Sequence, residues 1–213
     1  MPTAPDPKRH WEAQYAAKQP HEVSWTQAVP ATSLAFIRSF GLPKQAAIID
    51  IGGGDSRLVD HLLAEGYDNL TVLDISGAAL ARARQRLGPQ AARVRWLEAD
   101  IRDFEPPARY AVWHDRAAFH FLTSAPEVAR YLHRAHAALV PAGFLTMGTF
   151  SPAGPAQCSG LPVRQYSEDA LSAALQDGFT KIRCLTEDHE TPFHTTQNFL
   201  FCSFQRRPTG PAV

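Results

Sequence analysis

The sequence predicts an α/β fold: a three-layer sandwich with helices on both faces of a seven-stranded, mostly parallel sheet whose C-terminal strand runs antiparallel. Two observations carry this. Between residues 46 and 150, short apolar runs bounded by turn residues alternate with helical stretches, the pattern of parallel strands joined by crossover helices. After residue 178 the alternation stops. Two strand-like runs then follow each other with only a loop between them, which suits an antiparallel hairpin at the sheet edge.

Each element has a local reason. Trp11, Tyr15 and Lys18 share one face of a short helix that must end before Pro20. A linker carrying Trp25 leads to a second helix over 32–40, for which Gly41 is a fitting C-terminal cap. Residues 46–51 form an apolar run stopped by three glycines, a buried strand. A helix of roughly ten residues follows and stops at Gly66. The second strand is 70–75, with Ser76 placed to cap a helix that ends at Gly88 and Pro89. Strands are expected at 94–97 and 110–114. Ser124 and Pro126 open a long helix to about residue 140, a turn covers 141–143, and the fifth strand is 144–150. A helix over 167–176 precedes the last two strands, 179–185 and 198–205. The Pro-rich ends, roughly the first ten and last eight residues, are expected to be mobile.

Composition narrows the function classes. The 213 residues fit one domain large enough to bury a full core. Lys+Arg and Asp+Glu are both 21, so the basic surplus of a nucleic-acid binder is missing. The richest basic cluster, Arg82, Arg84 and Arg86, falls on a predicted helix and reads as a solvated face. No apolar run marks a secretory leader, and none reaches the ~18 residues of a membrane span. Cys158, Cys184 and Cys202 are odd in number and match no zinc spacing, so no metal is expected and a reduced, cytoplasmic protein is the simplest reading.

The informative segment runs from Asp50 through Gly52, Gly53 and Gly54 to Asp55 and Ser56, where the first strand turns into a helix. Ligands of open α/β sheets bind beyond the carboxyl ends of such strands. A dinucleotide site is one reading, because Asp74 lies 20 residues after Gly54 and could hold a ribose. Against it, the last position of the G-x-G-x-x-G pattern counted from Gly52 is Arg57. Asp50 would also repel a pyrophosphate. A carboxylate there suits a ligand with an ammonium or sulfonium centre.

On these residues the chain resembles the class I, Rossmann-like S-adenosylmethionine (SAM)-dependent methyltransferases, whose glycine motif is acidic-x-G-x-G-x-G. Asp50, Gly52 and Gly54 match, and Ser56 replaces the final glycine, where its hydroxyl could meet the SAM carboxylate. The resemblance implies SAM as methyl donor, with S-adenosylhomocysteine as product. It implies that Asp74, followed by Ile75, grips the ribose hydroxyls, and that Asp100 and Ile101 sit at the adenine. His114, at the end of the fourth strand, would border the methionine moiety. The N-terminal aromatics resemble the lid of bacterial small-molecule methyltransferases, so Tyr15 and Trp25 are expected over the cofactor. The resemblance divides the single domain into a helical lid at 1–45, a Rossmann-like core at 46–206 and a tail at 207–213.

The acceptor side is less local. His114 and His120 are candidate general bases, since imidazole takes protons near neutral pH, and Asp115 could orient a histidine or pair with Arg116. The alternative for each histidine is a packed or surface residue. Cys158 and Ser159, on a long turn-rich loop, could line the acceptor pocket with Trp11, Trp25 and Arg116. His189, in the loop expected before the last strand, could close it from the other edge; a simple hairpin loop is the alternative. The leading expectation is methyl transfer to a small thiol, amine or oxygen nucleophile, without nucleic-acid or membrane partners and with the oligomeric state open. A protein lysine methyltransferase and a non-catalytic SAM-binding module are the alternatives.

Overall fold

In the computed structural model, which describes residues 6–208, the seven strands of the main sheet run in the order β3-β2-β1-β4-β5-β9-β8. They are β1 (Ile48–Ile51), β2 (Leu70–Asp74), β3 (Val94–Glu98), β4 (Tyr110–Arg116), β5 (Leu139–Phe150), β8 (Phe179–Glu190) and β9 (Thr196–Arg206). The pairs β2–β3, β1–β2, β1–β4 and β4–β5 are parallel. The last strand, β9, inserts antiparallel between β5 and β8. A two-strand hairpin of β6 (Gln157–Cys158) and β7 (Leu161–Pro162) stands apart. The helices are α1 (Pro7–Ala17), α2 (Ala31–Ser39), α3 (Leu58–Ala64), α4 (Gly77–Leu87), α5 (Ala125–Ala138) and α6 (Glu168–Leu175).

Alternation along the strands sorts side chains to two faces. Ile48, Leu70, Val72, Val94 and Val112 pack with Leu34 and Ile37 of α2, Leu58 and Leu62 of α3, and Leu80 of α4. Ile49, Ile51, Leu73, Trp113, Leu145 and Met147 pack on the opposite face with Tyr131 and Ala135 of α5 and Leu171 and Leu175 of α6. Asp50 therefore faces α2 and α3 with Ile48, and His114 does so with Val112. The strand register sets Asp50 directly beside His114. Asp115 turns to the α5 side, where Tyr131 Oη donates to its Oδ2 at 2.5 Å.

Several elements differ from expectation. Residues 7–10, expected in a mobile end, form the first turns of α1; Asp6 Oδ1 accepts the Lys8 N–H at 3.0 Å and Pro7 stands at the first helical position. The expected ends at 1–5 and 209–213 lie outside the described residues. The turn at 141–143 is a bulge inside a longer β5: pairing with β4 jumps from Tyr110↔Leu139 to Val112↔Phe144, and Ala142 takes a φ of 59°. Strand β8 runs on to Glu190, so His189 is in a strand and the loop is only 191–195. The expectation of reduced cysteines is corrected for two of the three. Cys184 and Cys202 stand opposite each other in the β8–β9 ladder and are joined as a disulfide, while Cys158 is a buried thiol. No helix of the described residues is long and apolar enough to cross a membrane.

Candidate functional site

Strand order reverses between β1 and β4, and a cavity of about 390 Å³ opens above the carboxyl ends of the sheet at that point. Its floor is the turn after β1. Gly52 and Gly54 both have positive φ, 62° and 49°. A Cβ on Gly52 would stand 2.6 Å from the Ala118 Cβ, and one on Gly54 would stand 2.5 Å from Tyr15 Oη. The turn is therefore clamped between the segment after β4 and α1. The Gly53 N–H donates to the Leu73 carbonyl at 3.0 Å and fixes the turn to β2.

The acids stand in a row along this crevice. Asp74, at the end of β2, is buried; its Oδ1 accepts the Ser76 N–H at 2.8 Å. Burial is the main reason its carboxyl is pushed up to about 7, with Asp50 and Asp55 adding to the rise. Asp100 and Ile101 line the adjoining end below β3. The Asp100 carboxylate is gripped by Arg102, whose Nε and Nη2 reach Oδ2 at 2.9 and 2.5 Å. These bonds, against the desolvation that opposes them, hold its pKa below the ordinary carboxylate value. Ile75, Ser56 and Gly53 complete this wall. Ser56 Oγ accepts the Leu58 N–H at 3.2 Å, one residue before the Arg57 N-cap of α3.

At the reversal point three side chains form a hydrogen-bonded row. His114 Nδ1 lies 2.7 Å from Asp50 Oδ1, and its Nε2 lies 2.8 Å from Ser33 Oγ on α2. All three are buried and all three border the cavity. The carboxylate fixes the tautomer: Nδ1–H donates to Asp50, leaving Nε2 to accept the Ser33 O–H. Ser33 was not singled out from the sequence. The available signal was a hydroxyl on a helix face otherwise made of Leu34, Phe36 and Ile37.

Aromatic side chains form the roof. Trp11 meets Trp25 and Phe121 edge-on at 5.8 and 5.2 Å between ring centres, and Tyr15 meets Trp25 at 6.0 Å. Helix α1 is tied down around them. Glu12 Oε1 accepts the Gly77 N–H at 2.6 Å at the start of α4, Lys8 pairs with Glu98 at 2.6 Å, and Arg82 Nη2 reaches the Lys18 carbonyl at 2.5 Å. Phe121, Asp55 and Arg102 border the cavity too and were not assigned from the sequence. Asp55 is buried with Oδ2 unbonded, and burial raises its pKa.

Of the residues expected at the site, Trp11, Tyr15, Trp25, Asp50, Gly52, Gly53, Ser56, Asp74, Ile75, Asp100, Ile101, His114, Arg116 and Cys158 line this one cavity. Gly54 supports its floor from below Tyr15. The others stand elsewhere. Asp115 neither orients a histidine nor pairs with Arg116. Its Oδ1 accepts the Ala118 and Phe119 N–H groups at 3.0 and 3.1 Å, which fixes the bend where Ala117 takes a φ of 69°. Its carboxyl is pushed up to about 6 by burial. His120 is fully buried outside the cavity, its Nδ1 accepting the Phe150 N–H at 3.3 Å. Burial, then the charge of Arg116, push its pKa down to about 3, so it gathers no proton near neutral pH and the geometry gives a base role no footing. Ser159 sits at the β6–β7 turn with a φ of 50°, away from the lining. His189 Nε2 donates to the Ser24 carbonyl at 2.6 Å, pinning the linker beside Trp25. No cluster of metal-ligating side chains occurs among the described residues.

A twisted sheet in this order, with a glycine turn flanked by acids at the switch point, defines the class I SAM-dependent methyltransferase fold. Residues 48–143 match the family model described as a methyltransferase domain. A relative at the sequence level is nodulation protein S of Rhizobium fredii, 25% identical over 114 residues. That alignment spans 53% of this chain and 65% of the relative's length. Among solved structures, the fold is similar to the Burkholderia thailandensis 1,6-didemethyltoxoflavin N1-methyltransferase with bound substrate and S-adenosylhomocysteine (TM-score 0.71, 21% identity, 98% of this chain and 93% of that one). It is also similar to N-methyltransferase NodS of Bradyrhizobium japonicum with S-adenosylhomocysteine (TM-score 0.70, 17% identity, 95% and 100% covered).

Proposed function

We propose that the protein transfers the methyl group of SAM to a small-molecule acceptor enclosed between the acid-lined crevice and the aromatic roof. The observation that carries this is the single cavity joining Asp100, Asp74 and Asp50 to Trp11, Trp25 and Phe121. The residues fit the donor. The buried Asp74 carboxylate offers two acceptor oxygens to a pair of ribose hydroxyls. Ile101 and Ile75 offer apolar edges to a purine. The bare backbone of Gly52 and Gly53 admits a close ligand, and Asp50 favours a nearby cation. The described part of the N-terminal segment, residues 6–45, serves as the cover, with Tyr15 and Trp25 placed to shield a sulfonium from water. The Burkholderia N1-methyltransferase similar in fold was solved with 1,6-didemethyltoxoflavin, a small molecule, which supports a small acceptor.

SAM supplies an electrophilic methyl carbon on a positively charged sulfur. With the donor bound, the acceptor's lone pair would form the new bond to that carbon as the carbon–sulfur bond breaks, its electron pair staying on sulfur. The protein's part is to hold the acceptor in line and to take its proton. His114 Nε2 is the base available, through the Ser33 hydroxyl: Ser33 Oγ receives the acceptor's proton as its own passes to Nε2, and Asp50 stabilises the imidazolium. A cytoplasmic location is part of the proposal, on the strength of the donor; the joined Cys184–Cys202 pair is the observation against it.

A screen with methyl-labelled SAM tests the reading. Small thiols, amines and hydroxy compounds are run beside protein extracts, and label is expected in a small product. Label appearing only in a protein band would reject the small-molecule acceptor.

A further inference from the structure

Arg116 is a half-buried arginine without a carboxylate partner among the described residues. It ends β4 and borders the cavity beside Trp25, Ala117 and Cys158. Its Nη1 donates to the Trp25 carbonyl at 2.8 Å. Its Nε and Nη2 are sealed from solvent and meet no acceptor. The guanidinium lies over the face of Phe199, 4.9 Å from the ring centre. The titratable groups around it are the carboxylates of Glu187 and Asp50, the Cys158 thiol, and the His120 and His189 imidazoles. Each carboxylate is spent elsewhere. Asp50 Oδ1 serves His114, while Glu187 accepts from Gln27 Nε2 at 3.2 Å and from the Thr32 hydroxyl. No acidic oxygen of the described residues lies within the 4.0 Å of an ion pair with Arg116.

A buried guanidinium with no anion is costly, and the cost is recovered when an anion arrives. Nε and Nη2 form one straight edge of the guanidinium, the edge that matches the two oxygens of a carboxylate. Its neighbours Phe199 of β9 and Glu187 of β8 argue against the donor's own carboxylate as the occupant. Asp100, Asp74 and the glycine turn set the donor along β3, β2 and β1, whereas Arg116 leans toward Phe199 of β9 and Glu187 of β8, on the far side of β4.

We propose that the methyl acceptor carries a carboxylate, gripped bidentately by Nε and Nη2 of Arg116, with its apolar body against Trp11, Trp25 and Phe121. This rests on the methyl-transfer reading above and adds the class of acceptor. The carboxylate is the handle, and the methylated atom is a second group on the same molecule. The edge is covered in this structure, so the acceptor reaches it as the segment carrying Trp25 shifts; Arg116 and His189 hold that segment by single hydrogen bonds to the Trp25 and Ser24 carbonyls.

Calorimetric titration of S-adenosylhomocysteine-saturated protein with benzoate and with benzamide tests the grip without needing turnover. Benzoate is expected to bind at least about tenfold more tightly, since each charge-assisted bond of the pair is worth more than a neutral one. The preference should vanish in Arg116→Gln and shrink in Arg116→Lys, which keeps the charge without the fork. Circular dichroism reports whether each variant folds; if Arg116→Gln does not, Arg116→Lys and the wild-type comparison still decide. Equal binding of the two probes, or a preference that survives in Arg116→Gln, overturns the proposal. So does competition between benzoate and S-adenosylhomocysteine, which would assign Arg116 to the donor. Failure of S-adenosylhomocysteine to bind at all would instead strike the methyl-transfer reading, and benzoate against the free protein would still report on Arg116.

Discussion

The two halves of the cavity are built differently. The donor half, under β1, β2 and β3, consists of acids and glycines at strand ends, and Asp74 and Asp100 are each held by a residue two positions on. Asp74 is fixed by Ser76, Asp100 by Arg102 and the glycine turn by β2. The acceptor half, around β4, is assembled from segments far apart in the chain. Ser33 of α2 reaches His114, the Trp25 carbonyl reaches Arg116, and His189 of β8 reaches Ser24. The donor half is thus mostly a property of the strand ends, whereas the acceptor half exists only once the segment from Trp11 to Ser33 docks on the sheet. Substitutions in the first should change donor affinity, and those in the second should change turnover and acceptor choice.

The sharpest break would come at Asp74. Replacing it with Ala removes both ribose acceptors from a buried position, and calorimetry should show donor affinity falling at least about 100-fold, as expected for two hydrogen bonds to a charged group. Affinity within threefold of wild type would remove Asp74 from the donor site. On the acceptor side, Ser33→Ala should lower kcat by roughly ten- to a hundredfold for acceptors that must lose a proton, the scale of general-base catalysis, with a much smaller change in donor affinity. Loss of donor binding equal to the loss of turnover would show that the two halves are not separable at Ser33.

A pH titration sharpens the same division. Free Asp74 titrates at about 7, and donor hydroxyls favour its charged form. The bound state therefore holds fewer protons than the free state, so donor affinity should rise with pH up to about 7 and level off above it. Below that point each pH unit should cost up to about tenfold, the limit for one proton. A flat profile between pH 5.5 and 8 would mean that Asp74 keeps its charge regardless of ligand. The smallest effect is expected at His120. With its pKa already near 3, His120→Gln should leave the pH–rate profile without a lost limb and turnover within about threefold, the change being confined to packing and stability.

The same division explains what was legible in the sequence. Asp50, the glycines and Asp74 could be read because local chain geometry places them at strand ends on one rim, and Asp100 through the family resemblance. The sheet order followed from alternation, and the late hairpin from its break. Asp115 and His114 are adjacent in sequence and chemically alike as candidates, yet strand alternation sends His114 to the α2 face and Asp115 to α5, where Tyr131 claims it. That outcome required the register of β4 as well as its composition. For His120 the sequence leaves a base and a packed residue both open, because its burial depends on Phe150 of β5 packing on it, at 4.6 Å between ring centres. The Cys184–Cys202 pair required the β8–β9 register, which a spacing of 18 residues does not disclose.

The central claim is that the acid-lined crevice after β1 holds SAM. Calorimetry of the wild-type protein at pH 8 with S-adenosylhomocysteine and, separately, with NAD tests it most directly. The structure predicts saturable 1:1 binding of S-adenosylhomocysteine and no measurable heat from NAD, whose pyrophosphate Asp50 repels. Saturable NAD binding with silence from S-adenosylhomocysteine would contradict it.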